Sequence, residues 1–148
     1  MSSARPSRFG HRLRVLEAAV LLGIYPLVTR IVPLPRLLRL LGIAIVPASG
    51  ENHRVGSLPA RAVGFAVEAA ACRLPWRPLC LPQATVAGTM LRLRRYRPSI
   101  CFGARRAEDG LSAHAWLVLD GPDGGIVSGG APVGALSPFG HLPEMQSK

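Results

Sequence analysis

Between Leu13 and Ile31, apolar residues recur at Val15, Leu16, Ala19, Leu22 and Val28, a spacing that predicts a helix with a broad apolar face. Pro26 falls inside that run and is expected to kink or interrupt it, because it lacks an N–H and its ring crowds the preceding turn. Pro33 and Pro35 close the element. Leu34–Gly42 then predicts a short second helix, with Arg36 and Arg39 on its polar side and Gly42 as its stop. A polar stretch, Pro47–Gly56, reads as a linker. The helical period resumes at Ser57-Leu58-Pro59, with serine as a capping residue and proline in the first turn. It runs to about Arg73, with Val63, Ala66, Val67 and Ala70 at core spacing. After a loop over Pro75–Leu79, Leu81–Tyr96 predicts a further helix that ends before Pro98. Its small residues Ala84, Ala87 and Gly88 permit close packing, and Arg92, Arg94 and Arg95 fall on its exposed end.

Beyond Pro98 the period changes from helical to two. Ser99–Arg105, Ala113–Asp120 and Gly125–Ser128 read as strands, joined by turns at Ala107–Gly110 and Gly121-Pro122-Asp123-Gly124. Helices followed by a small antiparallel sheet make an α+β domain. Residues 1–50 divide into a mobile basic arm, Met1–Arg12, and apolar N-terminal helices, and residues 51–148 form the core of what is otherwise one compact unit. The greasy N-terminal third reads first as a helical hairpin packed on that core. Its alternative role is a surface that docks on a protein partner or lies on a membrane face.

Composition narrows the function. The chain of 148 residues is large enough to bury a core without disulfide or metal staples. Its net charge of +10 raises the question of nucleic acid. The basic residues are dispersed, however, only Lys148 among them is lysine, and no nucleic-acid motif accompanies them, so nucleic acid is not an expected partner. Three cysteines without a C-x-x-C pair or a His/Cys cluster exclude a disulfide scaffold and structural zinc, and fit reduced thiols in the cytoplasm. The apolar run Val15–Val28 is interrupted by Glu17, lacks a cleavage site, and is shorter than the roughly 20 residues a bilayer span needs.

The chemistry gathers in two places. Cys80 stands where a loop enters a helix, so free backbone N–H groups and the helix dipole favour a thiolate and can hold a developing oxyanion. Pro82 suits that first turn, and Arg77 adds positive potential. His114, in Ser112-Ala113-His114-Ala115-Trp116, opens an otherwise apolar strand and is the expected general base. Cys72, on an apolar helix, and Cys101, in a strand, read as packing residues. His11, His53 and His141 fall in termini or linkers. For the group that orients the imidazole, Asp120 shares a strand face with His114 but lies six residues on, about 20 Å along a straight strand. Contact would need that strand to end early or bend back. Asp123 in the turn is the runner-up, and Ser128 on the returning strand would be a neutral orienter.

Taken in order, Trp76-Arg77-Pro78-Leu79-Cys80-Leu81-Pro82-Gln83-Ala84, the arginine-rich helix end, Ile100–Gly103, and Ala113-His114-Ala115-Trp116-Leu117 with Asp120-Gly121 resemble the lasso-peptide leader peptidases. These are the protease half of the lasso biosynthesis B protein, within the transglutaminase-like cysteine protease superfamily. The resemblance is clearest from about Leu58 to Gly130. It implies a papain-like α+β fold and a Cys80–His114–Asp120 triad that cuts the leader from a precursor peptide, with no metal or organic cofactor. In relatives the acid commonly stands on the strand matching Ile126–Gly130, where this chain has none. The resemblance also implies a separate leader-binding protein, the RiPP recognition element, and a macrolactam synthetase as partners, and the excess apolar surface at Leu13–Leu41 is the candidate docking face for one of them. Two other readings compete: transamidation through the same acyl-enzyme, and a non-catalytic basic module that uses its apolar helices.

Overall fold

The computed structural model describes residues 8–47, 56–107, 110–121, 124–128 and 137–138. Its elements are α1 (Arg8–Ile31), α2 (Leu34–Leu41), β1 (Ala44–Pro47), α3 (Leu58–Arg73), α4 (Cys80–Leu93), β2 (Pro98–Ala107), β3 (Gly110–Leu119), β4 (Gly125–Ser128) and β5 (Ser137–Pro138). The α+β class expected from the periodicity is the class observed. No helix among the described residues is long and apolar enough to cross a membrane.

Three expectations are corrected. First, α1 begins at Arg8, so the second half of the expected arm is helical; no proline separates Arg8 from Pro26 to stop the turns. Met1–Ser7 lie outside the described residues. Second, α1 runs through Pro26 without interruption, and the Thr29 hydroxyl donates back to the carbonyl oxygens of Tyr25 (3.0 Å) and Pro26 (3.2 Å). Third, the sheet is not wholly antiparallel. α2 stops at Gly42, whose φ of 65° is left-handed backbone, and the Ile43 N–H closes the helix end on the Leu38 carbonyl. The chain leaves this cap extended and pairs as β1, parallel to β2, from Ala44↔Ser99 to Pro47↔Phe102. Most of the expected linker, residues 48–55, lies outside the described residues. Ser57 precedes α3 as expected, yet its buried hydroxyl makes no capping bond.

Sheet order is β1-β2-β3-β4. The long β2–β3 hairpin is in continuous antiparallel register from Pro98↔Leu119 to Ala107↔Gly110. β5 pairs with β2 at Gly103 and Ala104, just beyond the residues that β1 covers. One sheet face carries Ile100, Ala115, Leu117, Leu119 and Val127 into a core built with Val63 and Val67 of α3, Ala87, Met90 and Leu91 of α4, and Ala18 and Leu22 of α1. The other face carries a smaller cluster of Cys101, Trp116 and Val118.

Two glycines set how closely the helices approach this sheet. A methyl group on Gly64 of α3 would overlap the carbonyl oxygen of Val127 in β4, so backbone meets backbone there. On α4, a methyl group at Gly88 would meet the tip of Ile43 at 2.8 Å and Leu117 at 3.4 Å. Arg92 donates to the Leu41 carbonyl (3.2 Å), and Arg94 forms a bidentate pair with Glu17 (2.6 and 3.1 Å), fastening α4 to α2 and α1. Two of the three arginines expected merely to be exposed thus hold neighbouring helices.

Candidate active site

Cys80 is the first residue of α4, preceded by Leu79 in extended backbone and followed by Leu81 and Pro82. The N–H groups of Cys80 and Leu81 therefore have no acceptor one turn back within the helix, and both are free to receive negative charge. Gln83 is held by a 3.3 Å bond from its N–H to the Leu79 carbonyl, and its side-chain amide donates to the Pro78 carbonyl (2.7 Å). That second bond clasps the loop just ahead of the thiol. Arg77, in the same loop, adopts left-handed backbone with φ of 40°, a conformation costly for a residue with a side chain, on the order of 1–3 kcal/mol. The turn Leu74–Arg77 and the Gln83 clasp hold it there.

His114 lies on β3 opposite Gly103 of β2. Its ring stacks on Trp116 of the same strand, with centroids 6.4 Å apart and planes 20° from parallel. Trp116 is itself buried between Cys101 and Val118, so a fixed surface supports the imidazole. His114 and Cys80 both line one open cavity of about 560 Å³. The two residues singled out by chemistry thus border one cavity, Cys80 from the start of α4 and His114 from β3, although thirty-odd residues and a change of secondary structure separate them.

Asp120 does not join them. β3 keeps its register with β2 as far as Leu119, so the strand neither ends early nor turns back, and Asp120 is exposed beyond its far end. Six extended residues carry it about 20 Å from His114. Its charge is felt by Cys101 instead, a thiol pushed up to about 11, first by burial and then by Asp120. The runner-up Asp123 lies outside the described residues, as do His53 and His141. His11 is exposed on α1, away from the cavity lining. Ser128, buried and paired with Leu117, does line the cavity.

Two lining residues were not expected. Glu68 and Cys72 stand one turn apart on α3 and both face the cavity. The packing role expected for Cys72 is therefore wrong: Ala70 and Ala71 beside it are buried in the core, but Cys72 lies on the side of α3 that faces the open cavity and is exposed. Glu68 carried a signal in the sequence: it alone breaks the uncharged run from Ala62 to Cys72. Among the described residues no group of three His, Cys, Asp or Glu side chains is placed to hold a metal ion.

A second cavity, of about 430 Å³, adjoins the first and shares Arg77 and Pro78 with it. It is walled by Tyr25, Pro26 and Thr29 of α1 on one side and by Trp76, Leu79 and Pro82 on the other. The two cavities thus adjoin at the loop that precedes Cys80, with Arg77 and Pro78 lining both.

No curated protein and no solved structure matches the chain. The family model of the Transglutaminase-like superfamily matches residues 28–137. That span takes in every element lining the cavity that holds Cys80 and His114, and by it the chain belongs to the Transglutaminase-like superfamily.

Proposed function

We propose that this protein is a cytoplasmic cysteine endopeptidase that removes the leader from a ribosomally synthesised lasso-peptide precursor. The observation that carries the reading is the shared cavity of Cys80 and His114 in a transglutaminase-like chain. The motif resemblance supplies the class of substrate, and two adjoining open cavities, of about 560 and 430 Å³, offer room for a peptide beside Cys80.

In this mechanism His114 takes the Cys80 proton as Sγ adds to the scissile carbonyl carbon. The charge that moves to the carbonyl oxygen is received by the free N–H groups of Cys80 and Leu81. Collapse of the adduct breaks the C–N bond, and His114 returns the proton to the leaving amine. Water then adds to the thioester, again with His114 as base, and releases the acid. Asp120 is too far along β3 to orient the imidazole. We assign the acidic role to Glu68, the one carboxylate lining the cavity among the described residues. Trp116 stacks on the ring.

A separate leader-binding protein and a macrolactam synthetase are the partners that this reading requires. Mass spectrometry of the cognate precursor, incubated with the partner proteins, tests it. Cys80→Ala abolishes cleavage with an unchanged melting curve, and Glu68→Gln lowers the rate by roughly 10²-fold. Cleavage that persists in Cys80→Ala would end the peptidase reading. Capture of the acyl group by an added amine, in preference to water, would make the enzyme a transamidase.

A further inference from the structure

α1 is apolar on two opposite sides. Ala18 and Leu22 are buried against α3 and α4, with Val15, Ala19 and Tyr25 packed beside them. On the far side, Phe9, Leu13, Leu16, Val20, Ile24, Leu27 and Ile31 are all exposed, from 46% at Ile24 to 77% at Ile31. Successive members are three or four residues apart along the whole helix. At 100° per residue they fall in a stripe roughly 80° wide, the narrow seam of a helix that packs on another helix rather than the broader face of one lying in lipid. No described element covers this seam. It also lies almost entirely ahead of residues 28–137, the span that the family model matches.

Charge says what kind of helix fits. The exposed ionic residues on α1 are Arg8, Arg12 and Arg30, while its single carboxylate, Glu17, is engaged by Arg94 of α4. A second copy of α1 packed antiparallel would bring Arg8 and Arg12 beside Arg30, and one packed parallel would oppose Arg12 to the flank of Glu17, a carboxylate that Arg94 already engages. A partner helix with its own apolar seam and acidic flanks meets no such conflict. We infer that the outer face of α1 is a docking seam for an acidic amphipathic helix of a partner protein.

This inference stands apart from the peptidase reading, because it is tested by binding whether or not Cys80 is catalytic. The probe is a synthetic amphipathic peptide as long as α1, with leucine at alternating three- and four-residue spacing and glutamate on both flanks. It is titrated into the full chain and followed by calorimetry. A peptide with lysine on the flanks is expected to bind roughly tenfold more weakly, or worse. Leu16→Gln with Leu27→Gln, both outside the two cavities, is expected to lose acidic-peptide binding by a similar factor. The melting curve and the alkylation of Cys80 by iodoacetamide should stay unchanged in that variant. Three results would overturn the inference: equal binding of the acidic and basic peptides, retained binding by the double variant, or a preference for phosphatidylglycerol vesicles over the acidic peptide. Dimerisation of the wild-type chain that the double variant abolishes would also overturn it, in favour of a second copy.

Discussion

α4 and α1 are both apolar helices, yet they spend their apolar residues differently. α4, with 14 residues, buries seven, most of them small: Ala84, Thr85, Val86, Ala87, Gly88, Met90 and Leu91. α1, with 24 residues, buries only Ala18 and Leu22. Close packing around α4 fixes its first residue, Cys80, against the sheet that carries His114. α1 forms the outer layer, where bulky residues on its far side have nothing in the fold to meet. Hydrophobic content alone therefore does not mark the core of this molecule. The size of the side chains does, because small residues are what let α3 and α4 approach the strands.

That contrast can be broken most forcefully at Gly64. Gly64→Ala pushes a methyl group into the backbone of β4 and is expected to cost about 3 kcal/mol, read as a shift in urea midpoint. Gly88→Ala meets only the flexible end of Ile43, and the gain in helix propensity offsets part of that crowding, leaving a net change within about 1 kcal/mol. Equal losses at the two sites would show that the helix–sheet spacing is not set by backbone contact at Gly64.

Within α1 itself, Leu22→Ala should destabilise by about 2–3 kcal/mol, since its side chain is buried between helices. Leu16→Gln on the outer stripe should stay within about 0.5 kcal/mol. A large loss at Leu16 would mean that the outer face already packs on part of this chain.

The far face of the sheet offers a subtler test. The folded Cys101 thiol holds its proton up to about 11, against 9.0 for an ordinary thiol, because it is buried and lies near Asp120. Below pH 9 both folded and unfolded thiols are protonated and make no difference. From 9 to 11 the unfolded chain loses its proton first, so stability falls as pH rises through that interval. Tyr25, raised by burial, adds to the same trend. Cys101→Ala should flatten the wild-type slope of urea midpoint against pH, and an unchanged slope would assign it to other groups. At pH 8, iodoacetamide should reach Cys80 and Cys72 and spare Cys101.

Much of this was legible in the sequence because it rests on local rules. The period of three to four marked α3 and α4, the period of two marked β2 and β3, and loop chemistry marked the entry to α4 at Cys80. The errors share a cause, in that each concerned a relation the chain does not encode locally. β1 was missed because four residues after a glycine stop carry no period of their own, and only β2 gives them a partner. Cys72 reads as buried because its helix is apolar, yet burial depends on which side of α3 meets the core and which meets the cavity. Asp120 had the right parity for the face of His114, and distance along the strand decided against it. Glu68 lines the cavity one turn after Gly64, where α3 closes onto β4, a contact the local pattern does not encode.

The two ends of the strand path also bear on how the molecule keeps apart from its neighbours. β1 and β4 are four residues each; β1 finishes in Pro47, and the Ile126 carbonyl of β4 already accepts the N–H of Gly56. Margins so short and so occupied give an extended segment of another chain little to pair with, which guards the sheet against edge-to-edge aggregation. Association with other proteins is thereby channelled to side-chain surfaces, and the longest apolar one described is the outside of α1.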